Sequence, residues 1–89
     1  MAMTEYVEAR YALIVLREAR LADGDVASKL VADLLRDLGT LESHSSMRDR
    51  ALKTISVLAE DLHNRRWLHL PEWEAAHEAA AAWCESALH

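Results

Sequence analysis

Residues 11–16 read Tyr11-Ala12-Leu13-Ile14-Val15-Leu16, six apolar residues in succession. Apolar residues flank this run at the spacing of an α-helix. On a helical wheel Val7, Tyr11, Ile14 and Leu21 fall on one side, and Tyr6, Ala9, Leu13 and Leu16 fall nearly opposite. A helix that is apolar all round must be covered on both sides. In a chain of 89 residues that means a central place in a bundle or a seam shared with a second chain.

The rest of the chain supplies the other helices. Thr4 is the expected N-cap of the first helix, with Glu5 in its first turn, and Asp23-Gly24-Asp25 is expected to end it at about residue 22. Asp25 then caps a second helix, at about 26–38, whose Val26, Ala27, Leu30, Val31, Leu34, Leu35 and Leu38 follow the 3 and 4 spacing of one buried stripe. Gly39 stops it, and Gly39 to Ser45 reads as the main loop. Ser46 followed by Asp49 resembles a capping box opening a third helix, at about 46–64. Its buried side carries Met47, Ala51, Leu52, Ile55, Leu58, Ala59 and Leu62, with Val57 outside. Asn64 to Leu70 forms the next connection, and Pro71 suits the first position of a fourth helix at about 71–88. There Trp73, Ala76, His77, Ala80, Trp83, Cys84 and Ala87 form a seam rich in small residues. The expected architecture is an all-α, single-domain four-helix bundle over residues 1–89.

Composition narrows the function. The chain is 52% hydrophobic and 28% charged with two glycines and one proline, the profile of a folded helical protein. A domain of this size buries only about 60 to 65% of the surface of its unfolded chain, so stability is modest and a homodimer would help. A single cysteine cannot form an internal disulfide, and the opening residues lack the pattern of a signal peptide, so a cytoplasmic location is expected. Apolar runs of six residues fall far short of the ~20 needed to span a bilayer, and no membrane association is expected.

The net charge of −5 is unevenly placed: residues 67–89 hold Glu72, Glu74, Glu78 and Glu85 with no Lys or Arg. Overall acidity argues against nonspecific nucleic-acid binding. The one basic concentration is Arg48, Arg50 and Lys53 with Arg65 and Arg66 beside Trp67, which could hold a phosphate or stack on a base.

Chemistry finds little support in the spacing. His77 and Cys84 stand seven residues apart on one helix, whereas helical metal ligands sit three or four apart, and no Cys-x-x-Cys or His-Glu-x-x-His occurs. No metal or cofactor is expected. The cysteine lies late in an alanine-rich helix without a nearby base, and no Gly-x-Ser-x-Gly elbow is present. Glu5 with Glu8, and Glu74 with Glu78, set carboxylates one turn apart, a geometry used for divalent metals but far commoner on solvated faces. His77 is followed by Glu-Ala-Ala-Ala, not the Lys-Gly of a histidine phosphotransfer domain.

The reading that remains is a non-enzymatic acidic helical binding protein, an adaptor or inhibitor of a larger protein or nucleoprotein complex. Its expected partner-binding residues are Trp67, Glu72, Glu74, Glu78 and Glu85, with Trp73 and Trp83 read mainly as core. The alternative is a small DNA-binding transcriptional regulator using the Arg48, Arg50, Lys53, Arg65 and Arg66 patch.

Overall fold

The computed structural model describes residues 2–39, 45–64 and 70–88. It is an all-α four-helix bundle, with α1 at Ala2–Arg20, α2 at Gly24–Gly39, α3 at Ser46–His63 and α4 at Leu70–Ala87. Each helix packs on its neighbours in sequence, and α4 closes the ring against α1, the widest helix-to-helix contact of the four. Trp83 near the end of α4 reaches Glu5 near the start of α1, while Trp73 and His77 lie beside Leu16 and Arg20. The first and last helices are therefore antiparallel.

The core follows from which stripe each helix buries. On α1 it is Ala9, Ala12, Leu16 and Ala19; on α2, Ala27, Val31, Leu34 and Leu38; on α3, Ala51, Ile55, Leu58 and Leu62. Helix α4 buries Trp73, Ala76, Ala79, Ala80, Trp83 and Cys84. Small residues on α1 and α4 let their backbones approach closely, and the two indoles fill the space the alanines leave. Trp73 and Trp83 are thus core residues.

The boundaries match the periodicity, but several caps differ. Helix α1 begins at Ala2, so Thr4 lies inside it and is not its N-cap. It ends at Arg20, where the Leu21 and Ala22 amides donate to the Glu18 and Ala19 carbonyls in a tightening last turn. Gly24 is therefore not its C-terminal stop but the first residue of α2. The Asp23 carbonyl accepts from the Ala27 amide at 2.7 Å, which makes Asp23 the N-cap in place of Asp25. Helix α3 is capped by Ser45, not Ser46: the Ser45 side chain accepts from the Arg48 amide, and its backbone is extended. The capping box expected from Ser46 and Asp49 is therefore not the cap of this helix: with Ser45 in place the third helical residue is Arg48, whose guanidinium cannot return the bond. Gly39 closes α2; the connection after it, residues 40–44, lies outside the described residues.

Burial also corrects two seam assignments. Val26 and His77 are exposed, because each sits one position away from the stripe its helix turns inward. Leu30, Leu35, Met47, Leu52 and Ala59 are half-buried and pack on the edge of the core.

Urea unfolding should separate core from surface. Leu34→Ala is expected to cost about 2–5 kcal/mol, since Leu34 is fully buried. Val57→Ala, at an exposed position on α3, should change stability by less than about 0.5 kcal/mol.

Candidate functional site

Closing the bundle covers one side of α1 and leaves the other bare. Val7, Tyr11, Ile14 and Leu21 are 61, 42, 48 and 85% exposed. They are the apolar wheel face that the sequence groups together, and they lie opposite the buried Ala9, Ala12, Leu16 and Ala19. The stripe is about 21 Å long from Val7 to Leu21, at 1.5 Å per residue. Single exposed apolar residues are ordinary, but here three on α1 and Leu21 in the turn after it fall in one row.

The stripe has an inner order with a period of seven. Val7, Ile14 and Leu21 form its centre line. Arg10 and Arg17 form one edge, and Tyr11 and Glu18 form the other. Arg17 and Arg20 line a cavity of about 320 Å³ with Leu16, Leu21, Trp73, Glu74 and His77, so the arginine edge faces α4. Arg10 also stands over the Tyr6 ring, 6.0 Å from its centroid. The Tyr11 hydroxyl donates to Asp37 Oδ2 at 3.2 Å, so the opposite edge faces α2. Partial burial and this hydrogen bond to a carboxylate raise the Tyr11 pKa, keeping the phenol neutral. Asp33, one turn before Asp37, pairs with Arg36 at 3.0 Å. Arg17 and Glu18 have no ion-pair partner among the described residues.

A second polar feature lies inside the bundle, at the end where α1 starts and α4 finishes. Trp83 is 0% exposed, and its indole N–H donates to Glu5 Oε1 at 2.8 Å, satisfying a group that would otherwise be costly to bury. Arg48 is 5% exposed, and one guanidinium nitrogen donates to the Leu38 carbonyl at 2.6 Å, capping α2 with a cation at the negative end of its dipole. Glu8 is half-buried nearby. Desolvation raises its pKa above the ordinary 4.5, the Arg48 charge pulls it back, and the Glu5 charge adds to the rise.

The residues singled out from the sequence are dispersed. Arg48, read as part of a basic patch, is committed to the core; Arg50 and Lys53 are exposed on α3. Arg65, Arg66 and Trp67 lie outside the described residues. Glu74, Glu78 and Glu85 are exposed on α4, and Glu72 is half-buried. Cys84 is a buried free thiol. Among the described residues, no group of three or more His, Cys, Asp or Glu is placed to hold a metal ion. No helix is long and apolar enough to cross a membrane.

The α1 face was legible as an apolar row, and the sequence left open whether the bundle or a second chain covers it; within the bundle it stays exposed. The pattern that distinguishes it is the spacing of its edges by seven residues, Arg10 with Arg17 on one side and Tyr11 with Glu18 on the other. No protein-family model, curated protein or solved structure matches the chain.

Glu8 makes a pH prediction. Because its pKa is raised on folding, ionising it opposes folding, so its contribution falls as pH rises through the carboxylate range. Thermal melts of Glu8→Gln and the unaltered chain should coincide near pH 3.5. By pH 7 the variant should melt higher.

Proposed function

We propose that this chain is a non-enzymatic binding module, acting in the cytoplasm as an adaptor or inhibitor, and that its docking surface is the outer face of α1. The exposed stripe of Val7, Tyr11, Ile14 and Leu21 is the observation that carries this reading. Anchors spaced by three, four and seven residues on one helix are how helices seat against a partner helix or groove. An aromatic and two large aliphatic side chains supply the kind of apolar anchor that dominates interface energy, and the charged edges set orientation. The exposed Glu74, Glu78 and Glu85 on α4 would favour a partner carrying basic residues around the contact. Their effect falls mainly on the rate of encounter and its salt dependence.

This docking surface differs from the one the sequence suggests. Of the three tryptophans, Trp73 and Trp83 are used inside the bundle, so the glutamates of α4 become a rim and α1 becomes the apolar centre. The transcriptional-regulator alternative is weakened by Arg48, whose guanidinium is occupied at the Leu38 carbonyl.

The test is sedimentation of the fluorescently labelled chain in its native lysate. The unaltered protein should travel as a complex larger than its own 10.0 kDa. Ile14→Glu should return it to that mass, with an unchanged helical circular dichroism spectrum because Ile14 is outside the core. A chain that sediments alone, or a complex indifferent to Ile14→Glu, would overturn the assignment.

A further inference from the structure

We infer that the occupant of the α1 face is a second copy of this chain, joined by a two-fold axis parallel to α1 so that the two first helices run in the same direction. This inference rests on the reading of that face as a docking surface and names its partner. The argument is the charge pattern on either side of the apolar centre line. Arg10 and Arg17 form the edge toward α4, and Tyr11 and Glu18 form the edge toward α2.

A two-fold axis can relate two such helices face to face in two ways. If the axis runs along the helices, opposite edges meet at the same height. Arg17 then faces Glu18 of the second copy, and Arg10 faces the ring of its Tyr11. Each pair is offset by one residue, about 1.5 Å along the axis. Both contacts occur twice by symmetry. If the axis runs across the helices, like edges meet, and Arg10 of one copy lies against Arg17 of the other. Only the parallel arrangement pairs the arginines with an acid and an aromatic face.

The same arrangement stacks the centre line on itself: Val7 on Val7, Ile14 on Ile14 and Leu21 on Leu21. Each layer then sets identical side chains against each other, as a two-fold axis along the helices requires. Tyr11 is held on its edge by the hydrogen bond to Asp37, which fixes the ring in advance and reduces the side-chain freedom lost on association. Asp37 also places a carboxylate beside the position that Arg10 of the second copy would take. Arg17 and Glu18, without ion-pair partners among the described residues, both acquire one across the interface.

Sedimentation equilibrium of the purified chain tests the inference directly. The expected result is a dimer of twice 10.0 kDa at tens of micromolar, converted to monomer by Ile14→Glu. Arg17→Glu should weaken it roughly tenfold by setting acid against acid at two symmetric sites, and Arg17→Glu with Glu18→Arg should restore it. In an antiparallel dimer Arg17→Glu would instead strengthen association, because the new acid would face Arg10. As an independent readout, Val7→Cys in a Cys84→Ala background should oxidise to a disulfide-linked dimer only if the helices are parallel. Strengthening by Arg17→Glu, or failure of that variant to cross-link, would overturn the parallel arrangement. A purified chain that stays monomeric at 100 µM would overturn self-association altogether. If the lysate complex then still depended on Ile14, the docking face would stand with a different protein on it; if it did not, both readings would fall together.

Discussion

The close approach of α1 and α4 is the constraint on which the rest of the structure depends. The fully buried positions of α1 are three alanines and Leu16, with Tyr6, Leu13 and Val15 packed at the core's edge, and α4 supplies Ala76, Ala79 and Ala80 to its own inner side. Two helices lined with small residues settle closer than two lined with leucine. That leaves room at the ends of α4 for Trp73 and Trp83 and none in the middle for anything larger. Helices α2 and α3, with Leu34, Leu38, Ile55 and Leu58, fill the remaining half of the core with branched side chains. Because alanine serves the seam, the bulky residues of α1 stand outside it, and the exposed stripe is the geometric complement of a tight α1–α4 contact.

The two ends of the bundle are built differently. At one end a buried cation, two carboxylates and an indole N–H share a confined space: Arg48 caps α2, Glu5 receives Trp83, and desolvation raises the pKa of Glu8. These groups tie all four helices to one another by direction-dependent contacts, which helps specify the up-and-down arrangement over its mirror connection. At the other end Arg17, Arg20, Glu74 and His77 rim a cavity over Leu16 and Trp73. Charge lines the mouth of that cavity, over apolar packing between α1 and α4.

Much of this was written in the periodicity. The four helices and most of their buried stripes follow from apolar spacing, most clearly on α2 and α3, where one face is leucine-rich and the other charged. The caps were less legible, because Asp23 and Asp25, or Ser45 and Ser46, offer chemically equivalent oxygens one or two residues apart, and only backbone geometry chooses between them. Arg48 could not be placed from sequence: it lies among exposed charges, and its burial depends on where the end of α2 meets the start of α3. The α1 face was ambiguous for a related reason. Its two sides are comparably apolar, and which one turns inward is decided by alanine on α4, sixty residues away in the chain. The glutamates of α4 and the residues near Trp67 drew attention by composition, while the docking face proposed on α1 is one that composition makes look like core.

The hydrogen bond between Trp83 and Glu5 joins residues 78 positions apart, and it has a consequence for how the protein comes into being. During synthesis α1 leaves the ribosome first, and α2 and α3 can pair with it and each other as they follow. Until α4 has emerged, however, the groove meant for its indoles and alanines stays open, and the nascent chain carries both an unclosed core and the outer stripe of α1. Helix α4 therefore acts as a latch: the groove along α1 is filled only once α4 has followed the other three helices out.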